Sequence, residues 1–421
     1  MDGITSLDSR LSKALEAWTD RSRSSPLERW LEQQLDDDGG PGRLPLPSLA
    51  PVIRRLLEAR DRRPGWPGRI DDGLTNLVRI LLRTSTIDRR PATGDSAGAE
   101  RDLVQDVLHR FARLFPKSAE ARVIAWWVPG VASAHVPPPL PAWSSERRVL
   151  AVLRPGWQKG DDLIAVDHRQ AGPSTQFGLV GAGVSWLGHD WSPSTASEGK
   201  ATAARPTCWQ SSSAADLAEW TYTAGGLRHT RTALLLRGRS LALFADQVEG
   251  IRAAQPDAPP IESTWQIPEG IVTAPIPGSR GLLLRPTGPR KSAQVLPISL
   301  PSLDYHTDRG AFSITPERRL SLSVAPVGRR CWLPLLVSWD SQRNRKPLSW
   351  RVLTVSRDSK VCGRDVAFAV RVSWGREETL VIYRSLAAPA SRVFLGHQTT
   401  ARFFVGRFTS DGDVEPILSV D

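Results

Sequence analysis

Arg228, Arg231 and Arg237 fall within one ten-residue stretch of this chain. A planar guanidinium presents paired donors that match the two oxygens of a carboxylate, so these three are candidates for binding an acidic group. Tyr222 and His229 lie in the same region, and Tyr305 and His306 are adjacent further on. A phenol or an imidazole can give or take a proton, which makes these four, with His189, the candidates for acid–base work. The chain holds 16 Trp against 3 Tyr. An exposed indole can form a platform for a sugar ring, and Trp186 and Trp191, with Trp220, are the candidates for that role. Each of these residues also has a plainer reading, as a core indole or as a polar side chain on a strand face.

A β-hairpin over residues 216–250 would position the arginines. Residues 228–237 alternate, with Arg228, Thr230, Thr232, Leu234 and Leu236 on one face and His229, Arg231, Ala233, Leu235 and Arg237 on the other. Gly238 and Arg239 make the turn, residues 240–246 return, and 247–250 read as a charged loop.

Composition narrows the class. At 421 residues, 40% hydrophobic and 24% charged, the chain is an ordinary globular protein with room for two or three domains. Its net charge of +11 is carried almost wholly after residue 120, mostly by scattered arginines. Such a surface attracts acidic polymers. No recognition helix, zinc-finger spacing or RNA-binding aromatic signature accompanies it, so nucleic acid is not the expected partner. Cys208, Cys331 and Cys362 are too few and too dispersed for a disulfide scaffold or a cysteine zinc site. No secretory signal and no apolar run of membrane-spanning length is seen, and the expected location is the cytoplasm.

In chain order, residues 1–125 predict a helical domain. Leucines at helical spacing mark helices around Leu11, Leu31, Val52 and Leu77, the third capped by Ser48, and a fifth runs from about Ala97 until Pro116 stops it. Residues 126–146, with the run Val136-Pro137-Pro138-Pro139-Leu140-Pro141, predict a linker. Residues 147–421 carry a dozen or more short strand patterns spaced by Gly, Pro, Asp and Ser. The expected fold class is therefore α+β: a short helical domain, then a large antiparallel β-sandwich.

The order His229-x-Arg231, apolar strand, turn, apolar strand, Asp246-x-Val248-x-Gly250 resembles the C-terminal sandwich of heparinase II/III-like polysaccharide lyases. So do residues 166–170, 176–183 and 186–191, where a histidine-containing loop precedes a strand, a glycine turn and an acidic turn. Trp30 to Gly40 and Thr93 to Ala97 are similar to turns between helix pairs of that family's α/α toroid, of which the helical part would be a truncated remnant. The resemblance implies binding of acidic, uronate-containing polysaccharide. Family members cleave by β-elimination with Tyr, His and Asn or Arg at a cleft. Residues 1–120 have no Tyr, and His109 is their one His, which implies elimination lost or altered. If active, the protein would be a carbon–oxygen lyase. The resemblance also implies a possible zinc site: His168, Asp190 and His229 stand in the order of the two His and one Asp that hold the metal in family members that bind it. Two alternatives stay open: a non-enzymatic protein docking through the sandwich in a bacterial assembly, and an active lyase with a rebuilt site.

Overall fold

The computed structural model describes residues 9–16, 25–36, 39–42, 44–62, 66–88, 92, 98–132, 135–145, 149–158, 160–168, 174–193, 201–251, 260–288, 290–303 and 310–421. The chain divides into two compact units, Met1–Val166 and Asp167–Asp421. Helices come first and antiparallel sheets follow, an α+β fold.

The first unit contains α1 (9–16), α2 (Ser25–Gln34), α3 (Leu49–Arg62), α4 (Gly68–Thr84), α5 (Gly98–Leu114) and α6 (Ala119–Trp127). Three strands follow: β1 (Trp143–Ser144), β2 (Leu150–Leu153) and β3 (Leu163–Asp167), whose last residue opens the second unit. Leu11, Leu31, Ile53, Leu56, Leu77 and Phe111 meet in one core, because leucines three and four apart form a single helical stripe. Each such side chain contributes roughly 1.5–3 kcal/mol by leaving water.

Ser48 does not cap α3. Its hydroxyl is buried and finds no partner among the described residues. The helix instead continues a short 3-10 turn, Leu46–Ser48, entered through the fixed φ of Pro45. Ser118 does cap a helix, α6, which the leucine spacing did not single out; its hydroxyl accepts from the Ala121 amide at 3.1 Å. The proline run is held down along its length. Arg122 donates to the Val136 carbonyl at 2.8 Å, Trp157 to that of Pro139 at 2.8 Å and Arg83 to that of Leu140 at 3.0–3.1 Å. Arg154 donates to the carbonyls of Leu82, in the last turn of α4, and Ser85, just beyond it, at 3.1 and 2.8 Å. Its guanidinium lies 4.9 and 4.7 Å from the rings of Trp127 and Trp157. A cation there satisfies carbonyls that the helix leaves unpaired. The turn residues 37–38 and 93–97, part of the toroid resemblance, lie outside the described residues.

The second unit opens with β4 (Gln176–Gly181), β5 (Val184–Gly188) and β6 (Trp191–Pro193). A meander follows: β7 (Arg205–Ser211), β8 (Ala215–Ala224), β9 (Leu227–Leu236) and β10 (Leu241–Glu249). Then come β11 (Ile261–Gln266), β12 (Ile271–Pro275), β13 (Leu282–Pro286), β14 (Ala293–Pro297), β15 (Gly310–Ile314), β16 (Arg319–Val324) and β17 (Arg330–Ser338). The last strands are β18 (Leu348–Leu353), β19 (Ser356–Arg357), β20 (Lys360–Val361), β21 (Ala367–Trp374), β22 (Glu378–Ser385), β23 (Arg392–Phe394), β24 (His397–Thr399), β25 (Phe403–Phe408) and β26 (Val414–Val420).

The central layer is an eight-stranded sheet in the order β12-β13-β14-β17-β10-β9-β8-β7. One face buries Leu217, Leu234, Leu243 and Leu336 against Val370, Ile382 and Val405 of the sheet β18-β21-β22-β25-β26. The other face meets Phe177, Trp191 and Trp265 from β4, β6 and β11, whose rings contact Phe244, Trp220 or one another.

The expected hairpin is thus the middle of a longer meander. Gly225 and Gly226, at φ 57° and 77°, turn β8 into β9 in the left-handed region that glycine enters freely. Residues 247–249, read as a loop, extend β10, with Val248 buried between His229 and Cys331. Among the described residues no helix is long and apolar enough to cross a membrane.

Candidate functional site

Register decides which residues can act together. On β8–β10, Tyr222 pairs with His229 and His229 with Val248, while Trp220 pairs with Arg231 and Arg231 with Asp246. Alternation turns Tyr222, His229, Arg231 and Asp246 to the face covered by β4, β6 and β11. There Arg231 Nε donates to Asp246 Oδ1 at 2.9 Å. The arginine also donates to the Thr175 hydroxyl, to the Trp191 carbonyl at 2.9 Å and to the Tyr222 hydroxyl at 3.2 Å. Asp246 Oδ2 accepts from Trp191 Nε1 at 2.9 Å and Ser263 Oγ at 2.6 Å. Both members of the pair are 0% exposed.

Burial alone would lower the arginine pKa and raise that of the aspartate. Their mutual charge and hydrogen bonds outweigh it, so Arg231 is raised and Asp246 held low. His168 lies edge-on to Tyr222 at 4.9 Å, and His229 stacks on the Tyr222 ring at 4.9 Å and 8°. Burial, then the Arg231 charge, pushes His168 down to about 3. Burial also lowers His229 and raises Tyr222. At neutral pH the imidazoles and the phenol are therefore all uncharged. Chemically this is a clasp joining β6, β8–β10, β11 and the residue before β4 through one ion pair. Tyr222 is 3% exposed and His229 0%, so neither reaches a polymer in solution.

The three residues suggested for zinc are not gathered. His168 and His229 both pack on the ring of Tyr222, while Asp190 bonds Ser174 and Ser192 and pairs with Arg319. Among the described residues no group of three or more His, Cys, Asp or Glu side chains is placed to hold a metal ion. The donor set does not fit zinc. Trp186 and Trp191 are 0% exposed, and their indole N–H groups are used internally, on the Gly181 carbonyl and Asp246. Neither offers a ring to a ligand. Arg237 pairs with Asp216 at 2.6 Å. Tyr305 and His306 lie outside the described residues.

Arg228 is placed differently. On the leucine-bearing face polarity rises row by row along the strands. Leu217, Leu234 and Leu243 lie side by side, then Glu219, Thr232 and Ala245, then Thr221, Thr230 and Gln247, and finally Arg228, Glu249 and Arg330. The facing strand β22 follows the same gradient through Leu380, Ile382 and Arg384. At this polar end of the sandwich lies a cavity of about 230 Å³ lined by Arg228, Arg330, Arg384, Arg402, Gln247 and Glu249, among others. Behind it Glu219, 1% exposed, pairs with Arg384 at 2.5 Å and Arg402 at 2.9 Å. Thr232 donates to Glu219 at 2.9 Å. Arg384 Nε donates to Gln247 at 2.9 Å, and Gln247 donates in turn to Glu249 at 2.7 Å. The sequence singled out Arg228 but missed Arg330, Arg384 and Arg402. The alternation Leu380-x-Ile382-x-Arg384 was the available signal.

No protein-family model matches the sequence, and no curated protein is significantly similar to it. Solved structures are. The heparan sulfate lyase HepC from Pedobacter heparinus is similar with a TM-score of 0.63 at 14% identity, over 91% of this chain and 66% of that one. A HepC mutant gives a TM-score of 0.63 at 14% identity, over 86% and 62%. A heparinase III gives 0.60 at 12% identity, over 86% and 62%. The chain spans less than two thirds of the length of these structures. At such identity the likeness concerns fold, and the fold of this chain is distantly heparinase-like.

Proposed function

We propose that this protein binds acidic, uronate-containing polysaccharide on its β-sandwich, with β-elimination lost or altered. The observation that carries the reading is the likeness of fold, over 86–91% of the chain, to structures that include a heparan sulfate lyase. The net charge of +11 supports it, since a basic surface draws in an anionic polymer. Elimination needs a base for the proton beside the uronate carboxylate and an acid for the departing oxygen. On the described part of the sandwich, three of the candidates for those steps, Tyr222, His168 and His229, are buried and uncharged, while His189 is half-buried. Incubation with a panel of uronate polymers, following both binding and the ultraviolet absorbance of unsaturated product, tests the proposal. Binding without product is expected. Product would contradict the loss of elimination, and no binding to any polymer would end the reading.

A further inference from the structure

We propose that the arginine-lined cavity at the polar end of the sandwich is a binding site for one anionic group of an acidic sugar, a sulfate ester or a carboxylate. This deepens the polysaccharide reading and rests on it for the polymer. The case for an anion stands on the cavity itself.

Four guanidinium groups, those of Arg228, Arg330, Arg384 and Arg402, line one space, against the carboxylates of Glu219 and Glu249. The local excess is positive, and like charges this close repel one another unless an anion joins them. The arginines also divide into two kinds. Arg384, 2% exposed, is fixed from behind: Nε is spent on Gln247 and Nη1 on Glu219, which leaves Nη2 with no acceptor among the described residues. Arg402 is fixed by the other oxygen of Glu219, and its buried Nε finds no hydrogen-bond partner among the described residues. These two are preorganised, with side-chain freedom already lost before a ligand arrives.

Arg228 and Arg330 flank Glu249 in one cross-strand row, and neither guanidinium has a protein partner among the described residues. They form an adjustable rim. Thr221 and Thr230 add hydroxyls to the lining. A purely structural network would have paired its outer cations, as Arg237 is paired with Asp216 on the same sheet. The volume of about 230 Å³ lies below the usual range for drug-sized ligands, roughly 300–1,000 Å³. It suits one charged sugar residue.

Three monosaccharides serve as probes: glucuronate, which carries only a carboxylate, N-acetylglucosamine 6-sulfate, which carries only a sulfate ester, and neutral N-acetylglucosamine. Calorimetric titration of each into the full chain should show saturable binding of at least one charged sugar and none of the neutral one. The arm that binds identifies the group. Arg228→Gln with Arg330→Gln should weaken that binding about tenfold or more, the worth of a charge-assisted hydrogen bond. Arg351→Gln, an exposed arginine of β18 away from the cavity, should leave it unchanged. The proposal is overturned if neither charged sugar binds saturably, or if the double variant binds as the parent does. A double variant that loses the monosaccharide but keeps heparan sulfate supports the cavity and moves the polymer's main contact elsewhere. Monosaccharide binding with no polymer bound would also support the cavity, and would overturn the polysaccharide reading alone.

Discussion

The central sheet carries charge on both faces, and the two faces treat it in opposite ways. On one, Arg231 and Asp246 neutralise each other at 0% exposure. On the other, three residues away in sequence, Arg228 stands at an open cavity without a protein partner among the described residues. An odd separation along a strand sends two side chains to opposite faces, so neighbours in sequence can have unrelated roles. The covered face uses charge to fix layers together, and the open end has charge to spare for a ligand.

The sharpest way to break this contrast is to unpair the buried charges. Asp246→Asn leaves Arg231 buried and uncompensated and should cost about 3–5 kcal/mol in chemical denaturation. Arg231→Met combined with Asp246→Leu should recover much of that loss, since replacing both charges removes the desolvation penalty. A loss of similar size in the double variant would mean that the pair does more than balance itself.

Acidity probes the same face. His168 and His229 are held neutral in the folded chain, with pKa values below the ordinary histidine range, while the unfolded chain protonates them near pH 6.5. Their contribution is complete above about pH 6.5 and is lost as pH falls below it, for His168 down to about 3, because the unfolded state then binds more protons. The slope for His168 approaches about 1.4 kcal/mol per pH unit. Thermal melts at stepped pH should show it, and His168→Gln should flatten the profile over that window.

A smaller effect is expected behind the cavity. Glu219→Gln keeps the shape but removes the charge that orients Arg384 and Arg402, and should cost about 1–3 kcal/mol. The smallest belongs to the rim. Arg228→Gln with Arg330→Gln should change stability by no more than about 0.5 kcal/mol by denaturant midpoint. A large loss there would show that the rim arginines hold the fold together, and the two faces would no longer differ in kind.

Much of this arrangement was legible in the sequence, and the reason for the rest is physical. Period-two alternation sorted Arg228 from Arg231 correctly, and helical leucine spacing located α1 to α5. The run Ala233-Leu234-Leu235-Leu236 is apolar on both faces, which marks a strand covered on both sides. Had that cue been pressed, Arg231 would have been expected in the interior, and Trp191 with it. Val248 likewise belongs to a strand because it is buried, though charged neighbours disguise it. The order His168, Asp190, His229 marked two imidazoles that do meet one ring, that of Tyr222, but not the aspartate, which pairs with Arg319. The four arginines of the cavity are brought together by pairing between distant strands, and no local motif could announce them.

Recognition of an acidic polysaccharide, as distinct from attraction to charge alone, is tested most directly by retention on immobilised heparin, compared with a cation exchanger of equal charge density under one salt gradient. Exposed charges are screened over roughly 10 Å at 0.1 M salt, so attraction to bulk charge fades early in the gradient. Recognition predicts elution from heparin at clearly higher salt than from the exchanger. Release from both at the same salt would contradict it.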